Sequence, residues 1–189
     1  MPYRTTQFVA GECYHLYNRG NNREPVFFER ENYAFFLQQL RKYIVEPAAD
    51  VVAYCLMPNH YHLILQLRED GLSHHLQAFA LSYTKTTNKE RGRVGSLFQG
   101  PFKAIHVDTD QYLTHLSRYI HLNPVFARLV ERAQDWEFSS YREFIGVRSG
   151  SLPKPDVVLS QFANKEAYRA FVEKYAEGDR RMIEGLLLE

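Results

Sequence analysis

The chain has 189 residues, 45% hydrophobic and 24% charged, with 23 Lys and Arg against 22 Asp and Glu for a net charge of +1. These values exclude a disordered chain and a uniformly basic chromatin-type protein, and the length suffices for a buried core without disulfide or metal staples. Thirteen Tyr, thirteen Phe and eight His suit a surface that stacks on flat ligands or does chemistry with phenol and imidazole. Cys13 and Cys55 sit in apolar runs without metal-ligand spacing, as expected of inert core thiols in a reducing compartment. No run reaches the ~18 apolar residues of a membrane span, and Met1-Pro2-Tyr3-Arg4 opens no apolar signal core. The expectation is a soluble, cytoplasmic protein with no membrane partner.

Residues 12–17 read as a short aromatic strand that runs into the turn cluster Asn18-Arg19-Gly20-Asn21-Asn22-Arg23. Over 31–45, Phe35, Phe36, Leu40, Tyr43 and Ile44 recur at helical spacing until Pro47 ends the pattern. Two strands, 51–57 and 60–67, flank the turn Pro58-Asn59 as a hairpin. Leu72, Leu76, Phe79 and Tyr83 mark a second helix, followed by a basic, Gly-containing stretch over 85–95 and a strand over 102–107. The order β-α-β-β-α-β predicts an α+β fold, a ferredoxin-like antiparallel sheet with helices on one face. A third helix is expected to open at Asp108 with a capping box to Gln111 and to end at Asn123-Pro124. A short helix over 141–145 follows, then a Gly/Ser/Pro-rich linker and a helical pattern over 164–188. The expected organisation is one domain over 1–146, with a linker and C-terminal helical extension over 147–189.

Two features carry chemistry. His60 and His62 open a strand and project from one face, with Tyr61 and Leu63 on the other, so their imidazoles can chelate one divalent ion. On the third helix, Leu113, Leu116 and Ile120 form a core stripe, and Tyr112, His115, Tyr119 and Asn123 line the adjacent sector. Thr114, Ser117, Arg118 and His121 are expected to face solvent. The tyrosines can be boundary residues with buried rings and wet hydroxyls. Alternatively, Tyr119 is a nucleophile and Asn123, one turn later, joins the histidines on a metal. A phenol of pKa about 10 attacks a phosphodiester only where a cation polarises the phosphate and stabilises the leaving 3′ oxygen. The product is a 5′-phosphotyrosine that a second hydroxyl can reverse, which transfers a strand without ATP. Two imidazoles and an amide oxygen with open positions suit Mg²⁺ or Mn²⁺.

Several blocks resemble the single-tyrosine HUH transposases, most closely the REP-associated tyrosine transposases and their relatives. They are Met57-Pro58-Asn59-His60-Tyr61-His62-Leu63-Ile64-Leu65, Ser96-Leu97-Phe98-Gln99-Gly100-Pro101-Phe102-Lys103 and Ser117-Arg118-Tyr119-Ile120-His121-Leu122-Asn123-Pro124-Val125. Tyr14-His15-Leu16-Tyr17-Asn18-Arg19-Gly20 and the block over 136–146 also match, so the resemblance spans about residues 8–146. It implies an HUH nuclease fold and metal-dependent cleavage and rejoining of single-stranded DNA carrying a REP-like or transposon-end hairpin. By motif, His60 and His62 are the metal pair, Asn123 the third ligand and Tyr119 the nucleophile. Tyr112 competes but lacks an amide four residues on, and His115 orients the phenol, accepts its proton or only packs behind it.

Phosphate contacts are expected from local basic clusters: Arg19 and Arg23 in the amide-rich loop, and Lys85, Lys89, Arg91, Arg93 and Lys103 interleaved with Tyr83, Phe98 and Phe102. A protein acting on DNA is expected at the nucleoid. Since one chain carries every group, a monomer is expected, with a homodimer that exchanges tyrosine helices as the alternative. The competing functions are a non-catalytic single-stranded nucleic-acid-binding module on the same sheet and a metal-dependent hydrolase in which water attacks.

Overall fold

In a computed structural model that describes residues 6–175, the strands β1 (Cys13–Arg19), β2 (Ala49–Met57), β3 (His60–Leu67) and β4 (Lys103–Val107) form one antiparallel sheet. Their order is β2-β3-β1-β4. Residues directly opposite one another share a face, so the register places Tyr17 beside both His62 and Lys103, and Arg19 beside His60. Period-two alternation then builds separate cores on the two faces. Tyr14, Leu16, Tyr61, Leu63 and Leu65 pack against Phe36 and Leu40 of α1 (Arg30–Leu40) and Leu76, Phe79 and Tyr83 of α2 (Ser73–Arg91). Cys13, Cys55, Met57, Ile64 and Val107 pack under α3 (Asp110–Phe126). Thus α1 and α2 lie on one face, in the ferredoxin-like plan, and α3 covers the other. Both cysteines are buried as expected, and burial pushes the Cys13 thiol up to about 11.

Helix boundaries differ from the sequence expectation for local reasons. The basic stretch begins as helix, because Lys85 to Arg91 holds no breaker; Gly92, at φ +60°, ends it in the left-handed conformation. At the start of α3 the N-cap is Thr109, whose side chain accepts from the Tyr112 amide at 3.2 Å, in place of Asp108. The helix also runs through Pro124 to Phe126. In this last turn the proline forfeits a single ladder bond, and the Ala127 and Leu129 amides close the end on the Asn123 and Pro124 oxygens.

The largest departure is on the expected solvent face of α3, where Ser117, Arg118 and His121 are all buried. The cause is the C-terminal part of the chain: α4 (Tyr141–Phe144), α5 (Asp156–Leu159) and α6 (Lys165–Glu173) join α3 in the second core. Tyr168 of α6 places its hydroxyl 2.7 Å from His121 Nδ1 and 3.0 Å from Ser117 Oγ, and Ser140 Oγ lies 2.9 Å from His121 Nε2. The expected linker is also tied down, as Pro153 bridges to Val51 and the Lys154 amide donates to the Val51 oxygen at 2.7 Å. The helical pattern expected after Tyr175 lies outside the described residues. Among the described residues, no helix is long and apolar enough to cross a membrane.

Candidate active site

The turn between β2 and β3 is held from behind. The Pro58 oxygen accepts from the Val26 and Phe27 amides at 2.8 and 3.0 Å, and the Asn59 oxygen accepts from the Gly20 amide at 2.7 Å. Gly20 is required there, since a Cβ would sit 2.0 Å from the Glu24 oxygen. This anchoring fixes where β3 begins, and strand alternation then directs His60 and His62 towards α3.

His60 is oriented by its neighbour. Asn59 Nδ2 donates to the Arg23 oxygen at 3.0 Å, which turns Asn59 Oδ1 towards His60 Nδ1 at 2.7 Å. An amide oxygen only accepts, so the ring proton is on Nδ1 and Nε2 carries the lone pair. Burial, with Arg19 nearby, holds the ring below its ordinary pKa against the raising effect of Asn123, so His60 is neutral. Its lone pair faces Asn123 Oδ1 at 3.1 Å, which sets one acceptor against another. His62 is fully buried, and burial, then His15 and His60, hold it well below the usual histidine range. His62 Nε2 is buried with no hydrogen-bond partner. The His60 and His62 rings stand edge to face at 5.1 Å, and the Tyr119 ring meets His62 edge to face at 5.6 Å.

The four residues singled out by motif are therefore brought together, two from β3 and two from successive turns of α3. The donor set fits a divalent cation. Facing acceptors and an orphaned imidazole nitrogen are what such an ion satisfies, and neutral rings bind it without first losing a proton. The 3.1 Å spacing of His60 Nε2 and Asn123 Oδ1 matches adjacent ligands of an octahedral ion, which at about 2.1 Å bond length lie about 3.0 Å apart. No group of three His, Cys, Asp or Glu side chains among the described residues is placed to hold a metal.

Tyr112 sits two turns before Tyr119, where burial, then Asp108 and Tyr17, push its phenol well above the ordinary value. Arg118 Nη2 donates to His115 Nδ1 at 2.8 Å, so the neutral His115 ring carries its proton on Nε2. The ring also meets Phe171 of α6 edge to face at 5.4 Å; of the three roles expected for His115, accepting a proton at Nδ1 is blocked, while orienting an oxygen through Nε2 and packing against α6 both fit these contacts. Arg118 itself is clamped over the Phe171 and Tyr175 rings, at 4.1 and 5.2 Å.

The basic residues separate into groups. Arg19 and Lys103 share the face of His60 and His62; Arg19 donates to Gln99 Oε1 at 3.1 and 3.2 Å, and Lys103 Nζ lies 5.8 Å from the Tyr17 ring centre. Arg23 lies in the turn after β1, against Asn59. Lys85 and Lys89 are exposed on α2, which packs on the opposite face of the sheet. Arg91 and Arg93 pair with Glu29 and Glu24 and lie over the Phe28 ring. The sequence expectation set this stretch against Glu90 alone and missed these partners, which are far away in the chain.

Sequence reasoning also missed His15, whose Nε2 lies 2.9 Å from His62 Nδ1, and Tyr17, stacked on His15 at 4.8 Å. The available signal was the alternation Cys13, His15, Tyr17, Arg19, which puts one face of β1 in line with the histidine pair.

This sheet, with a paired histidine strand facing a tyrosine helix, defines a family. The sequence profile of the IS200-like transposases matches residues 9–123, and the chain belongs to that family. It is 29% identical over 106 residues to a protein of Haemophilus influenzae (strain Rd) described as a REP-associated tyrosine transposase; the match covers 49% of this chain and 58% of the relative's own length. A solved REP-associated tyrosine transposase bound to a REP hairpin has a similar fold, with a TM-score of 0.64 at 19% identity over 82% of this chain and 98% of that one.

Proposed function

We propose that the protein cuts and rejoins single-stranded DNA beside a hairpin, by transesterification through Tyr119 at a site where His60, His62 and Asn123 hold Mg²⁺ or Mn²⁺. The observation that carries this reading is the convergence of His60 Nε2 on Asn123 Oδ1 at 3.1 Å, with the orphaned His62 Nε2 and the Tyr119 ring alongside. When bound, the cation supplies charge to polarise the phosphate and to stabilise the leaving oxygen. Tyr119 Oη loses its proton to solvent and forms the bond to phosphorus as the bond to the 3′ oxygen breaks, and the 3′ oxygen takes up a proton from solvent, leaving a 5′-phosphotyrosine and a free 3′-hydroxyl. His115, with its proton on Nε2, is suited to donate to an oxygen in this neighbourhood. Arg19 and Lys103 border the strand's path on the same face, and Arg23 extends it along the turn. The hairpin bound by the structural relative supports a hairpin substrate. A monomer carries every group this chemistry needs, and a DNA substrate is met at the nucleoid in the cytoplasm.

The test is incubation with single-stranded hairpin DNA and Mn²⁺ or Mg²⁺, followed by denaturing electrophoresis. A covalent protein–DNA adduct is expected from the wild type and none from Tyr119→Phe. Cleavage that persists in Tyr119→Phe makes water the nucleophile, and binding without cleavage in the wild type makes the protein a binding module.

A further inference from the structure

Behind the candidate metal ligands lies a histidine to which the proposed chemistry gives no part. His15 is fully buried on β1; its Nε2 lies 2.9 Å from His62 Nδ1, with the rings stacked at 5.1 Å and 17°. Strand register makes the contact, since His62 is opposite Tyr17 and His15 opposite Ile64, which makes the two histidines diagonal neighbours on one face.

Between two neutral rings this contact holds one proton, and its owner decides what His62 can do. With the proton on His15 Nε2, His62 accepts at Nδ1 and carries N–H at Nε2, where it cannot ligate. With the proton on His62 Nδ1, the Nε2 lone pair is free. His62 Nε2 and His15 Nδ1 are both buried without hydrogen-bond partners, and a cation at His62 Nε2 relieves that atom only in the second arrangement. Asn59 Oδ1 imposes the corresponding choice on His60 from behind.

We propose that His15 is a positioning residue of the metal centre: its Nε2 accepts the Nδ1 proton of His62 and so holds His62 in the tautomer whose Nε2 binds the cation. Metal-bound histidines commonly donate their second N–H to a carboxylate or a carbonyl; here an imidazole takes that place. The inference rests on reading His60, His62 and Asn123 as the ligands.

The test measures Mn²⁺ binding to the full chain by electron paramagnetic resonance titration, together with a nitrogen NMR experiment on the metal-free wild type. His15→Phe, which keeps a ring but no acceptor, is expected to weaken Mn²⁺ binding by about 10- to 100-fold. His15→Gln, whose Oε1 can take the place of Nε2, is expected to recover most of the loss. His62→Ala should lose the site. Equal affinity of His15→Phe and wild type, or a His15→Gln no better than His15→Phe, overturns the proposal. If wild type and His62→Ala bind Mn²⁺ alike, or neither binds it, the ligand reading itself fails and this inference falls with it. The NMR measurement needs no variant to fold: scalar coupling across the N–H···N contact with the proton on His62 Nδ1 supports the proposal, and a proton on His15 Nε2 overturns it.

Discussion

Tyr112 and Tyr119 are the same phenol on the same helix, and their surroundings separate them. Burial, with Asp108 and Tyr17 adding to it, raises the Tyr112 pKa, so forming an attacking phenolate there is costly. Tyr119 has the Asn123 amide side chain one turn on and an imidazole at its edge. Tyr112→Phe should therefore form the DNA adduct at the wild-type rate, as measured by the same denaturing gel that reads out Tyr119→Phe. The distinction was partly legible in the sequence, because Tyr119 and Asn123 are four residues apart and helical pitch alone makes them neighbours. His60 and His62 were legible in the same way, through strand alternation. The His15 contact was not, since it depends on the register between β1 and β3, a non-local property.

His121 is a second case in which a distant element decides. It looked solvent-facing because the apolar stripe of α3 lies elsewhere, and α6 then supplies a partner surface that no local pattern announces. The network from Ser140 through His121 to Tyr168 and Ser117 is buried, so it must be satisfied throughout. Tyr168→Phe should leave the secondary structure intact and lower unfolding stability by about 1–3 kcal/mol, measured by urea denaturation. The same burial holds the His121 pKa down to about 3. Below the ordinary histidine pKa of about 6.5 the unfolded chain takes up a proton that the native state refuses, so stability falls with pH throughout that window. The expected cost is on the order of 1 kcal/mol per pH unit for His121, with His15, also held at about 3, acting in the same direction. Urea midpoints should be level above about pH 7 and fall between about pH 6.5 and pH 5, and a profile flat through that lower window would contradict the assignment of these rings as buried and neutral.

A net charge of +1 hides an uneven distribution, since cations that look alike in sequence are separated by the sheet or matched with acids. Arg93 is paired with Glu24 at 3.0 Å, whereas Lys103 and Arg19 share the face of the candidate ligands. Replacing Lys103 or Arg19 with Ala should weaken binding to single-stranded DNA and reduce the slope of log affinity against log salt by about 1. Arg93→Ala should leave that slope unchanged, as fluorescence anisotropy at several salt concentrations would show. The placement of α3 also has a mechanical consequence. Tyr119 and Asn123 are on one rod, about 6 Å apart along its axis, while both imidazoles are fixed in the sheet. On the proposed reading, a tilt of that rod would withdraw Tyr119 and Asn123 from the histidines in a single movement. A partner that leaned on the α6 side of the rod would therefore move both side chains together relative to the sheet.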